Sequence, residues 1–153
     1  MVMVLLIGLD RLTKMLAVKY LKDQAAVVVI PGVFQLQYLE NTGAAFGVLQ
    51  GKMWLFYLLT VMICAVCLFF YFRVPQGIHF IPMQLTLILL VSGAVGNFID
   101  RISVQYVVDF LYFCLIDFPI FNVADIYVTA AACMLIVFIL FFYSEEDLKE
   151  VLP

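Results

Sequence analysis

Two aspartates, Asp109 in VVDF and Asp125 in FNVAD, stand among residues that carry almost no other charge. Neither has a basic residue at a helical spacing to neutralise it. Apolar surroundings disfavour an ionised carboxylate, so the valines and phenylalanine beside Asp109 raise its pKa. A second carboxylate brought close raises one of the pair further, because like charges resist joint ionisation. Such a pair shares a proton. One ionised and one protonated carboxyl on a common water form a general base and a general acid, the equipment for hydrolysing a peptide bond without a covalent intermediate.

Other polar residues recur at helical spacing inside apolar sequence. Asp10, Thr13 and Lys14 share one face at i, i+3 and i+4; Asn97, Asp100 and Arg101 repeat the pattern, and Asn122 lies three before Asp125. A charge at the centre of a membrane helix costs roughly 2.5 to 3.5 kcal/mol, so each is a functional candidate until a structural use is found. Mutual neutralisation is one such use, for Asp10 with Lys14 and for Asp100 with Arg101. The motif NTGAAFG at 41–47 supplies glycines for an irregular turn and one amide, Asn41, that donates and accepts. Ser92, Gly93, Ala94 and Gly96, and later Ala130, Ala131 and Ala132, permit close approach of another backbone or of a substrate; tight helix packing alone explains them equally.

The elements that must position these groups are membrane helices. Of 153 residues, 67% are hydrophobic and 12% charged, far from the soluble average. Residues 54–72 and 80–99 contain no charge, nor do residues 126–143, and each is long enough to cross a hydrocarbon core of about 30 Å. Residues 1–21 form a fourth expected span despite Asp10, Arg11, Lys14 and Lys19; a signal peptide would carry its charges ahead of the apolar run and be followed by small residues. Residues 26–30 and 33–39 read as two short strands broken at Pro31-Gly32, and the aromatic stretch 102–121 suits the membrane surface. Residues 73–79 form a tight turn, and the acidic SEEDLKE tail reads as a solvated end.

Four spans place both termini and the 73–79 turn on one face and the two long connections on the other. Lys19, Lys22, Lys52 and Arg101 outnumber Arg73 and Lys149, which by the positive-inside rule puts the long connections in the cytoplasm. The net charge of -3 suggests no nucleic-acid partner. Cys64, Cys67, Cys114 and Cys133 sit in apolar sequence as small hydrophobes, and His79 has no partner at ligand spacing, so neither a metal nor another cofactor is expected.

Together DRLTK at 10–14, NTGAAFG at 41–47, GAVGNFIDR at 93–101, VVDF at 107–110 and FNVAD at 121–125 resemble the lipoprotein signal peptidase (signal peptidase II) family, the membrane aspartyl proteases of bacteria. The motifs keep the family's order and spacing and cover nearly the whole chain. The resemblance implies one integral-membrane peptidase domain over residues 1–153: an all-α membrane protein of four transmembrane helices, about 1–22, 54–72, 80–101 and 122–143, with a small extracytoplasmic β element and an interfacial segment. It implies that Asp109 and Asp125 are the catalytic dyad and that Asp10, Asn41, Asn97, Arg101 and Asn122 line the site. Lys14, Gly93 and Asp100 match motif positions as support. The implied substrate is a diacylglyceryl-modified prolipoprotein, cut before the lipid-bearing cysteine, and globomycin is the implied inhibitor. The implied setting is the bacterial cytoplasmic membrane, amid its lipid, as a monomer with both termini cytoplasmic and the dyad near the outer surface. That orientation opposes the charge count, and Lys14 and Arg101 held in the site account for the conflict. Few residues and no basic flank precede Asp10, which departs from the family pattern. A proton-coupled transporter or a helix-packing adaptor is the alternative; vesicle transport without peptide loss would mark the first, and loss of assembly on Asp substitution the second.

Overall fold

The computed structural model describes residues 1–43 and 52–151. Helix α1 runs Val2–Leu21, strands β1 and β2 are Val27–Ile30 and Phe34–Asn41, and helices α2 and α3 are Met53–Arg73 and Ile81–Val104. Strand β3 is Val107–Tyr112, α4 is Val123–Val137, and α5 is Glu145–Val151. Ala44 to Gly47 of the NTGAAFG motif lie outside the described residues.

Among the described residues, three helical stretches are long and apolar enough to cross a membrane: Met53–Arg73, Ile78–Val104 and Val123–Phe142. The last continues α4 through one wide π-helical turn, Phe138–Phe142. Four such spans were expected. Helix α1 has the length, 20 residues, but its four charges set it apart from the other three. Those charges are handled locally. Asp10 and Lys14 are buried, while Val4, Leu5, Leu9, Leu12, Met15 and Leu16 are exposed on the remaining surface. The helix thus turns a polar stripe inward and an apolar face outward, the reverse of a helix in water.

The hairpin falls where sequence placed it, with Gly32 at φ 71 in the left-handed region that the turn requires. The 102–121 connection holds more order than a surface-lying segment. Its first half is β3, which pairs antiparallel with β2 to give the sheet order β1-β2-β3. Helix α3 ends at Gln105, whose left-handed backbone (φ 67) turns the chain into that strand. Val108 and Phe110 bury one face of β3 against Ala17 and Leu21 of α1. At the opposite end of the molecule the acidic tail is a short helix, not a free end. Val151 packs with Val74, Phe80, Met83 and Tyr143, and Arg73 Nε donates to the Val151 carbonyl at 3.0 Å.

Candidate active site

Side chains alternate along a strand, so a strand that buries Val108 and Phe110 on one face presents Val107 and Asp109 on the other. Leu39 pairs with Asp109 and Asn41 with Val107, which sets Asn41 diagonally across from Asp109. The Asn41 amide donates to Asp109 Oδ2 at 2.8 Å, and its oxygen accepts the Gly43 N–H at 2.9 Å. The turn after β2 thereby fixes which way the amide points. A slip of one residue in this register would turn Asp109 into the α1 contact.

Asp125 is placed by the start of α4. Phe121 returns along β3, exchanging backbone hydrogen bonds with Leu111 at 2.9 and 3.0 Å. The next residue, Asn122, caps the helix reciprocally: its side chain accepts from the Asp125 N–H at 3.0 Å, and Asp125 Oδ2 accepts from the Asn122 N–H at 3.1 Å. The same Asn122 side chain donates to Asp109 Oδ1 at 2.6 Å and to Asn97 Oδ1 at 3.0 Å. Asn97 in turn donates to Asp125 Oδ1 at 2.7 Å. Two asparagines therefore bridge the two aspartates.

Behind this bridge lies a buried ion cluster. Lys14 Nζ is 3.0 Å from Asp10 Oδ2, 3.0 Å from Asp100 Oδ2 and 2.9 Å from Asn97 Oδ1. Arg11 pairs with the other oxygen of Asp100. The expected neutralisation of Asp10 by Lys14 is present, whereas Asp100 pairs with Lys14 and Arg11 instead of its neighbour Arg101. Consecutive helical residues point about 100° apart, which sends Asp100 toward α1 and leaves Arg101 free to face elsewhere. Arg101 lies 4.2 Å over the Phe56 ring and donates to the Gly43 carbonyl at 3.3 Å. Its buried Nε has no hydrogen-bond partner among the described residues.

Glycines let the helices close on this cluster. A Cβ on Gly96 would lie 2.6 Å from Asp10 Oδ2 and 3.2 Å from Ala124 Cβ, and one on Gly93 would strike the Ala124 carbonyl oxygen.

Asp109, Asp125, Asn41, Asn97 and Arg101 all open onto one cavity of about 790 Å³. Its other walls are apolar apart from Gly43 and Thr129, and include Val107, Phe113, Phe118, Phe121, Ile126 and Ala130. Phe113 lines it, whereas Tyr112 donates its hydroxyl to Asp117 at 2.7 Å. Burial, followed by the nearby charge of Asp125, pushes the Asp109 carboxyl up to about 7. The amides of Asn41 and Asn122 oppose that rise by stabilising the ionised form. The arrangement can hold a proton on Asp109 near neutral pH beside an apolar slot.

Each sequence-selected residue is accounted for. Asp109, Asp125, Asn41, Asn97 and Arg101 line the cavity; Asn122 and Asp10, expected to line it too, are fully buried, Asn122 bridging the two aspartates and Asp10 joining Lys14 and Asp100 in the layer behind; Gly93 sits at the α3–α4 contact. The role of Gly43, which binds both Asn41 and Arg101, was not read from sequence, although its place in a polar glycine turn was the available signal.

The family model for signal peptidase (SPase) II matches residues 2–141. A lipoprotein signal peptidase of Streptococcus pyogenes serotype M5 (strain Manfredo) is 38% identical over 146 residues, covering 95% of this chain and 92% of that protein. The serotype M18 (strain MGAS8232) protein matches equally, at 38% over 146 residues. A solved bacterial membrane enzyme superposes with a TM-score of 0.81 at 35% identity, covering 90% of this chain and 84% of that one. A second gives 0.79 at 34%, covering 92% and 91%. A buried polar cluster walled by apolar helices, matched along nearly its full length, identifies the chain as a member of the signal peptidase II family of membrane proteases, which remove signal peptides from prolipoproteins.

Proposed function

We propose that Asp109 and Asp125 are the catalytic dyad of an aspartyl endopeptidase that cuts a diacylglyceryl-modified prolipoprotein before its lipid-bearing cysteine. The observation that carries this reading is the convergence of the two carboxylates, from β3 and from the first turn of α4, on one cavity through the Asn122–Asn97 bridge. Asp109, the more deeply buried, serves as the acid and Asp125 as the base. Asp125 takes a proton from water as the water oxygen bonds to the scissile carbonyl carbon, and Asp109 protonates the carbonyl oxygen. In the second step Asp109 recovers a proton from the resulting diol, the carbonyl reforms, and the C–N bond breaks as Asp125 protonates the departing nitrogen. Both carboxyls return to their starting states. Arg101 and Asn41 help hold the substrate backbone and the dyad.

The setting follows from the same reading. Helix α1 is the fourth span, with Asp10 and Lys14 turned to the protein interior. Both termini are cytoplasmic and the cavity is near the outer surface, in a single membrane-embedded domain that works as a monomer. Lys14 and Arg101, being engaged in the protein, do not act as topological anchors. The signal helix reaches the cavity sideways from the bilayer while the acyl chains stay in lipid, and globomycin occupies the same slot.

The test is to add purified protein in detergent to a lipidated precursor and map the products by mass. Cleavage directly before the lipidated cysteine supports the reading. Cleavage elsewhere, or equal cutting of precursor without lipid, contradicts it.

A further inference from the structure

Asn97 carries its amide in one of two possible orientations. Its oxygen accepts from Lys14 Nζ at 2.9 Å and from Asn122 Nδ2 at 3.0 Å, and only then does its NH₂ face Asp125 Oδ1, at 2.7 Å. The flipped amide would set an oxygen against a carboxylate and an NH₂ against an ammonium, so Lys14 excludes it. Lys14 Nζ also forms buried ion pairs, at 3.0 Å, with Asp10 Oδ2 and Asp100 Oδ2. The two carboxylates it holds each grip the residue just before an aspartate of the dyad. Asp10 Oδ1 accepts the Ala124 N–H at 3.0 Å, and Asp100 Oδ2 accepts the Val108 N–H at 3.3 Å. Lys14 is 1% exposed and is not among the residues lining the cavity.

We propose that Lys14 is a positioning residue: it locks the Asn97 amide so that Asp125, the base of the proposed dyad, always receives a donor. The inference rests on the dyad reading above. It differs from a purely structural salt bridge, which would hold helices together without fixing the donor that Asp125 receives.

The two accounts separate in kinetics. Lys14→Met leaves two buried carboxylates short of a counter-charge, so the working pair is Asp10→Asn compared with Asp10→Asn/Lys14→Met, which keeps the cluster balanced. Removing Lys14 should lower kcat on a lipidated precursor by about 10- to 100-fold with KM within about threefold, the size of effect expected when general acid–base groups are misplaced. Without the fixed donor, the acidic limb of the kcat/KM profile should move to higher pH. Lys14→Arg, which keeps charge and donors, should recover part of the rate. On an Asn97→Ala background, removing Lys14 should cost little more, since residues acting through one another are not additive.

An unmoved acidic limb, or losses that multiply on the Asn97→Ala background, would overturn the proposal. Failure of every Lys14 variant to assemble, Lys14→Arg included, would assign the residue to folding alone and overturn it too. Asp109→Asn and Asp125→Asn run beside these: activity in either removes the dyad reading itself, whereas inactivity there with an unchanged Lys14 profile removes only this inference.

Discussion

Asn122 donates to Asp109 Oδ1 at 2.6 Å with the same side chain whose oxygen caps α4 by accepting the Asp125 N–H at 3.0 Å. One residue thus sets the helix start that carries the second aspartate and solvates the first. The two duties are separable. Asn122→Ser should keep the cap, with stability within about 1 kcal/mol of the parent, because serine is as good an N-cap as asparagine. The shorter side chain cannot reach Asp109, so cleavage should fall by about 10²-fold. Thermal unfolding in detergent beside precursor cleavage checks both halves; equal loss of both, or neither, contradicts the split.

The buried Asp109 gives a pH signature. Its carboxyl is pushed from the ordinary 3.8 to about 7 by burial and by Asp125, so the folded protein binds a proton there that the unfolded chain releases. That contribution to stability is full below the unfolded value and is lost as pH rises through about 7. Cleavage that needs protonated Asp109 should decline over the same upper range. Asn41→Leu removes a donor to the ionised form and should move the basic limb of the rate profile to higher pH. Asp109→Asn should flatten this part of the stability profile. A basic limb unmoved by Asn41→Leu contradicts the account.

Close helix approach gives a stability prediction. Gly93→Ala sets a methyl against the Ala124 carbonyl oxygen and Val128 Cγ2, where backbone must move. Overpacking of this kind costs about 1 to 3 kcal/mol, and the displacement shifts α4 and Asp125 with it. Chemical or thermal unfolding should register the loss, with activity falling more steeply. A neutral result in both would show that the contact yields freely.

Asp117 is the internal control. It accepts from Tyr112 on the rim, has a left-handed backbone (φ 49), and touches neither aspartate of the dyad. Asparagine both accepts a hydrogen bond and tolerates that backbone. Asp117→Asn should process precursor within about twofold of the parent, a range small beside the 10²-fold effects of acid–base groups.

How much of this was legible in the sequence depended on spacing. Asn122 and Asp125 share a helical face at three apart, and Asp10 with Lys14 at four, so both pairs were readable and both are formed. Strand β3 was not, because an apolar run broken by Asp109 has no clean alternation when both of its faces are buried. Its pairing with β2 and the return of Phe121 depend on contacts far apart in the chain. The partner of Asp100 was misread for a related reason: adjacency in sequence suggested Arg101, but helical geometry points the two apart and gives Asp100 to Lys14 and Arg11. The short acidic helix α5 escaped notice because only Leu148 and Val151 mark its inner side.

The central claim is that one shared proton between Asp109 and Asp125 does the chemistry. Its most direct test is single-turnover cleavage of a lipidated precursor by purified Asp109→Asn and Asp125→Asn, each checked for membrane insertion and unfolding temperature. The account predicts no cleavage by either variant with both still inserted and folded. Cleavage by either at a rate near the parent's would contradict it.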